Sequence, residues 1–396
     1  MMRISHFGPV SAQGEPSMSF KPTRLAGSAI AFGALAAGAL STGIVAVALA
    51  TPTLKQRPQT NPLRVSVISL GADKVEVTIT NTSAKTLRIP KWQLPTDVQR
   101  SNLFRITRDG IEVGFQGAMI KRGAPTAEDF AILRAGRSYR SIVELGTAYD
   151  LSKAGHYTVT YAAPLQYASL SGGARLQQRN GLPMVAQGAP IRLVLDQIVP
   201  GQRATFPNGG RITPVLPANP ELSDVTGIST VACSASQITT IGNAVLSARA
   251  YSERAKGYLN AGTTGARYTT WFGAYTSSRY ATAQQHFTTI DNAMDQTGGQ
   301  VTINCGCNTN DFAYVYKNQP YQIFVCNAFW SAALVGTDSK AGTLIHEMSH
   351  FTVVADTDDH AYGQWLAQNL AINNPTQALD NADSHEYFVE NTPVQN

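Results

Sequence analysis

The segment Gly342-Thr343-Leu344-Ile345-His346-Glu347-Met348-Ser349-His350-Phe351 carries His-Glu-x-x-His inside a run of apolar residues. On a helix, positions i and i+4 lie on one face about one turn apart, so both imidazoles can reach one zinc ion. Leu344, Ile345, Met348 and Phe351 supply the apolar surface that would anchor such a helix. Glu347 follows the first histidine, where it can take a proton from a water acidified by the ion without ligating the ion itself. Two solvated histidines on a surface helix would not need that apolar flank. The segment therefore predicts a catalytic zinc site on a buried helix, with one Zn2+ per chain.

Such a site needs a third protein ligand, and the residues just downstream offer several. They read Val354-Ala355-Asp356-Thr357-Asp358-Asp359-His360-Ala361-Tyr362-Gly363. A metzincin would place glycine at 353 and histidine at 356, where this chain has Val353 and Asp356. A glutamate on a later helix, Glu386 or Glu390, is a second option. His360 is a third, although its adjacency to Asp359 lets only one of the two face the metal.

Working outward, residues 221–396 hold seven Lys+Arg against 15 Asp+Glu, a net of −8, which leaves +13 for residues 1–220. Halves of opposite sign should attract one another when folded together. No nucleic-acid-binding motif accompanies the basic half, so a nucleic-acid partner is not expected. All four cysteines, Cys233, Cys305, Cys307 and Cys326, fall in the acidic half. An even count in an exported chain predicts two disulfides. Cys305 and Cys307 are too close to pair with each other, which leaves 233–305 with 307–326, or 233–307 with 305–326. The paired C-x-x-C knuckles of a four-cysteine zinc site are missing.

Lys21 and Arg24 precede an uncharged run from Leu25 to Ala50 that ends in Ala48-Leu49-Ala50. This has the form of a cleaved export signal over residues 1–50, with Met18 as an alternative start. A membrane anchor is the competing reading, since about 20 apolar residues span a bilayer. Residues 51–205 read as β-rich. Arg64–Leu70 and Lys74–Thr80 alternate apolar and polar residues around a Gly71-Ala72-Asp73 turn, and Tyr157–Tyr161 and Ile191–Leu195 follow. These short strands predict an antiparallel β-sandwich-like domain with no catalytic constellation of its own. Residues 206–228, rich in Pro, Gly and Asn, form a linker and the expected region of proteolytic processing. Residues 229–396 predict a mainly α-helical domain with a small β-sheet. Its helices fall over 234–258 and 276–296, and short strands over 301–303 and 322–325. The fold class is therefore α+β with two domains.

The run from His346 to Ala355, then Thr357-Asp358-Asp359-His360-Ala361-Tyr362-Gly363-Gln364, resembles the aspzincin metallopeptidases. That family comprises the deuterolysins and the peptidyl-Lys metalloendopeptidases, and the chain is more similar to the latter. The likeness extends from about Cys233 to the C-terminus and includes Asn381-Ala382-Asp383-Ser384-His385-Glu386-Tyr387-Phe388. By this resemblance the metal ligands are His346, His350 and Asp359. Glu347 is the general base, and Tyr362 donates a hydrogen bond to the tetrahedral oxyanion. The resemblance also implies the pairing 233–305 with 307–326. Asp356 departs from the family, which usually has glycine before the threonine.

Asp383 and Glu386, three apart, share a face of a helix or turn. By spacing alone this pair could equally be a solvated acidic face. In the peptidyl-Lys members, carboxylates at these positions receive a lysine on the carboxyl side of the cleaved bond. The resemblance thus implies a secreted, monomeric endopeptidase that cuts proteins and peptides at Xaa–Lys and is made as a zymogen. Its own N-terminal domain would be the intramolecular inhibitor, with a Lys or Arg of the linker in the lysine pocket. The alternatives are a deuterolysin-like peptidase of broad specificity and a non-catalytic exported binding protein that keeps the zinc.

Overall fold

In a computed structural model the described residues are 60–196, 221–222 and 226–396. The leader and most of the linker lie outside them. The alternation seen in the sequence becomes strand. Leu63–Gly71 and Lys74–Asn81 pair antiparallel across a turn in which Gly71 and Ala72 have φ of 103° and 47°. Val75, Val77 and Ile79 point into the core, and Ser138–Glu144 completes a three-stranded sheet. A second sheet is built on Gly155–Pro164, flanked by Phe104–Arg108 on one side and by Val185–Gln187 and Ile191–Leu195 on the other. The N-terminal half is thus several small antiparallel sheets.

The C-terminal half is helical because its apolar residues recur at three and four. Ile241, Ala244, Val245, Ala248, Tyr251, Ala255 and Leu259 form one buried stripe of the helix Ala235–Asn260. Ser234 and Gln237 close its N-terminus as a capping box. That stripe packs on the helix Ser277–Met294 and on the helix Lys340–His350. Both helix expectations thus hold to within a few residues. The disulfides are Cys233–Cys305 and Cys307–Cys326, the pairing implied by the family resemblance.

The small sheet runs Ser229–Val231, Thr302–Asn304, Gln322–Val325, Ala313–Tyr316. Its outer neighbour is Ala118–Lys121, a strand from the N-terminal half that pairs antiparallel with Ala313–Tyr316, Tyr314 opposite Ile120. The expected separation into two domains is blurred by this insertion. The described residues belong to one compact unit, and one apolar core runs from Leu63 through to Val389. An edge strand with unpaired backbone groups accepts another strand readily, and here the chain supplies its own. Opposite charges meet at the same seam, where Arg100 and Arg122 reach Asp311 at 2.9 and 3.4 Å. Among the described residues no helix is long and apolar enough to cross a membrane.

Candidate active site

The helix Lys340–His350 is buried along its whole length. Ser339 caps it by accepting from Gly342 N at 2.9 Å, and Glu390 in turn accepts from Ser339 N and Oγ at 2.9 and 2.8 Å. Gly342 is required by this close approach, since a Cβ there would sit 2.1 Å from Glu390 Oε1. Leu344, Ile345, Met348 and Phe351 are fully buried, so the helix cannot roll and its two histidines are aimed together.

The chain then turns back on itself. Asp356 has φ of 52°, the left-handed region in which glycine is unstrained and Asp or Asn is better tolerated than most residues. This is the position where the family usually has glycine, so the departure keeps the turn. Asp356 pairs with Lys317 at 2.8 Å. Beyond the turn, Asn381 Oδ1 accepts from His360 N and Ala361 N, which pins the segment carrying Asp359.

The outcome is a cluster in which one ligand atom each from His346, His350 and Asp359 lies within 4.8 Å of the others. Asp359 Oδ1 is 3.3 Å from His346 Nε2 and 3.5 Å from His350 Nε2. His350 Nδ1 donates to Thr357 O at 2.8 Å, leaving its Nε2 as a lone pair. His346 Nδ1 faces Asp383 Oδ1 at 2.9 Å and Glu386 Oε2 at 3.3 Å, so its proton belongs on that side. Both Nε2 atoms are buried and have no hydrogen-bond partner. Two orphaned imidazole nitrogens beside a carboxylate, with the His350 tautomer fixed by the bond from its Nδ1 to Thr357 O and carboxylates facing His346 Nδ1, fit a zinc ion. Against the cost of its burial, His350 and His346 hold the Asp359 carboxyl well below the usual carboxylate range. Glu347 is buried beside the cluster with both oxygens unpartnered, and burial pushes its carboxyl well up.

The other third-ligand candidates are placed elsewhere. Glu386 faces the Nδ1 side of His346, Glu390 caps the helix, and Asp358 pairs with Lys317 at 3.0 Å. His360 Nε2 contacts Asp380 Oδ2 at 2.7 Å.

Asp383 and Glu386 are buried on the helix Ala382–Glu390, so they are not a solvated face. The space between them is filled by Lys121, whose side chain is 2% exposed. Its Nζ stands 2.6 Å from Glu386 Oε2 and 3.7 Å from Asp383 Oδ1, and it donates to Asp338 Oδ1 at 3.3 Å. Burial works against the ammonium, but Asp383, Glu386 and Asp338 together raise it well above its ordinary value. Burial also works against Asp383, yet Lys121 and His346 hold it low, whereas burial dominates at Glu386 and pushes it up. The preceding carbonyl, Ile120 O, accepts a hydrogen bond from the Tyr362 hydroxyl at 2.9 Å.

The expectation that a linker cation fills this pocket is therefore corrected: the occupant is Lys121, on a strand of the β-rich half. A strand held by backbone pairing to Ala313–Tyr316 delivers its lysine at a fixed depth. Sequence reading also missed Asp338, and Gln166, whose side chain bonds His360 O and Tyr362 N from across the seam. Nothing local in the sequence marks these residues. The one available signal was the opposite charge of the halves.

The family model described as lysine-specific metallo-endopeptidase, aspzincin, matches residues 258–390. An extracellular protease of Aeromonas hydrophila is 38% identical over 84% of this chain and 92% of its own. A peptidyl-Lys metalloendopeptidase of Grifola frondosa is 35% identical over 81% and 89%. A second, from Pleurotus ostreatus, is 48% identical over 41% of this chain and 97% of its own. With a buried His-His-Asp cluster, an adjacent free glutamate and relatives matched over most of their length, the chain belongs to the aspzincin family and is a metalloendopeptidase acting on proteins or peptides.

Proposed function

We propose that this chain is an exported, latent zinc endopeptidase that hydrolyses Xaa–Lys bonds, with residues 1–50 as its leader and the β-rich half as its inhibitor. The observation that carries the reading is the placement of Ile120–Lys121. Its lysine fills the carboxylate pocket and its carbonyl takes the Tyr362 hydrogen bond, which is how a substrate Xaa–Lys bond would have to lie. The names of the relatives from Grifola frondosa and Pleurotus ostreatus support the lysine preference, and that of the Aeromonas protein supports export.

His346, His350 and Asp359 would hold one zinc ion, which when bound polarises the scissile carbonyl and acidifies water. Glu347 is the general base: it takes a proton from the attacking water and passes it to the departing lysine amine. Its burial beside the cluster, with both carboxylate oxygens unpartnered, suits a group that must take up that proton and hold it between the two steps. Tyr362 donates to the carbonyl oxygen as negative charge develops there. Asp383 and Glu386 desolvate and neutralise the substrate ammonium, which disfavours neutral side chains in the same pocket. Their contacts with His346 Nδ1 couple the specificity pocket to the ligand cluster.

The broad-specificity and non-catalytic alternatives are less well supported. The first leaves a buried two-carboxylate pocket without a purpose, and the second leaves Glu347 without one. Product mapping by mass spectrometry tests the reading. The processed enzyme should release peptides beginning with Lys from denatured protein, and both a chelator and Glu347→Gln should abolish them. Mixed N-termini would remove the lysine assignment while keeping the peptidase. Silence of the processed, zinc-loaded protein would favour the binding-protein alternative.

A further inference from the structure

A lysine ammonium has three N–H donors, and a pocket of two carboxylates leaves one direction open. Here the two inner carboxylates are shared, because Asp383 and Glu386 also face His346 Nδ1. Asp383 Oδ2 is further engaged by Gly363 N at 2.6 Å. Asp338 has no such second duty toward the ligand cluster. It approaches Lys121 Nζ from the turn before the His-Glu-x-x-His helix and accepts its hydrogen bond at 3.3 Å.

The position of Asp338 is held from several sides. Its backbone has φ of 51°, its N–H donates to Glu390 Oε2 at 3.2 Å, and the Tyr387 hydroxyl donates to its Oδ1 at 2.8 Å. Tyr387 is fully buried, and its ring also lies 5.9 Å from Lys121 Nζ. The side chain of Asp338 is 45% exposed, whereas those of Asp383 and Glu386 are 2% and 0% exposed. Asp338 therefore stands between the buried ammonium and solvent.

Resting on the Xaa–Lys reading, we infer that Asp338, oriented by Tyr387, is a third specificity-determining carboxylate that receives the ammonium of the substrate lysine at the outer wall of the pocket. It contributes charge recognition and leaves the cleavage chemistry to Glu347 and Tyr362.

The test compares two substrates on enzyme obtained by processing the full-length chain. One peptide carries lysine after the cleaved bond, and the other carries norleucine, which has the same carbon chain without the ammonium. Asp338→Asn should lower kcat/KM for the lysine peptide about ten-fold, mostly through KM, since a hydrogen-bonded, half-exposed carboxylate is lost from an ammonium. It should leave the slow cleavage of the norleucine peptide unchanged. Tyr387→Phe should shift the lysine-to-norleucine ratio the same way by a smaller factor. An equal loss on both peptides would make Asp338 merely structural, and no loss on either would remove it from the pocket. If the wild-type enzyme itself shows no preference for lysine over norleucine, the Xaa–Lys reading fails and takes this assignment with it.

Discussion

Replacing Lys121 with alanine removes the cation from a pocket in which Asp383 and Glu386 are almost wholly shielded from water. Breaking a buried ion pair by deleting one partner costs about 3–5 kcal/mol, because the remaining charge stays desolvated. Two features pull the value to the low end. Asp338 is half exposed and rehydrates easily, and the raised proton affinity of Glu386 lets it shed its charge instead. About 3 kcal/mol against the docked strand corresponds to roughly a 100-fold shift toward the open site, at about 1.4 kcal/mol per decade. Uncut full-length Lys121→Ala should therefore cleave a quenched Xaa–Lys peptide at least tens of times faster than the uncut wild type. The exposed Lys85→Ala serves as the control. Lys121→Met keeps a long aliphatic stem while removing the ammonium that lies over the rings of Phe312 and Tyr387, and it guards against simple misfolding. If both Lys121 variants melt cooperatively, hold both disulfides and remain as silent as wild type, Lys121 is not what keeps the enzyme latent.

Tyr362→Phe in processed enzyme should lower kcat about 100-fold with little change in KM, since one hydrogen bond to the developing oxyanion is lost. Steady-state kinetics on a lysine peptide checks this, and a loss confined to KM would assign the hydroxyl to ground-state binding. His385 Nδ1 donates to Asn381 O, so its Nε2 accepts from His286 Nδ1 at 3.0 Å. Burial lowers His286 to about 4 and His385 to about 3. Both stay neutral in the fold but charge in the unfolded chain below about pH 6.5. Stability should thus be full above that pH and fall as the pH drops toward 4, by up to about 1.4 kcal/mol per unit for each group. Denaturant midpoints at pH 7 and 5 would show it, and His286→Gln should flatten the decline. No lysine lies between Lys153 and Lys256, so a lysine-directed enzyme has no bond to cut in the 206–228 linker. The purified full-length chain should stay intact there until a protease of another specificity acts, at Arg211 for example. Spontaneous new N-termini in that segment, absent from Glu347→Gln, would refute the prediction.

Much of the catalytic half was legible because its determinants are local. The apolar residues around His346 and His350 recur with the helical period, so a buried helix with both imidazoles on one face follows from spacing. Ile238 to Tyr251 and Tyr280 to Met294 likewise announce their helices, and Val75, Val77 and Ile79 announce a strand. The family resemblance narrowed what spacing left open, the third ligand and the cysteine pairing, and the geometry brings together the residues it named. The strand Ala313–Tyr316 was missed; it pairs with the nearby Gln322–Val325 on one side and with the distant Ala118–Lys121 on the other.

By itself the sequence determined the chemistry on offer: a paired-histidine helix, a glutamate beside it, a cluster of downstream carboxylates and two halves of opposite charge. Only the tertiary structure decided which groups meet. Asp359 rather than Asp358 or His360 faces the histidines because Asn381, more than 20 residues on, pins that segment. Lys121 rather than any other cation fills the pocket because its strand pairs with an edge almost 200 residues away. Periodicity records what each segment buries. It carries no record of which distant edge a strand will join, since that is set by backbone hydrogen bonds that any sequence of suitable shape can make.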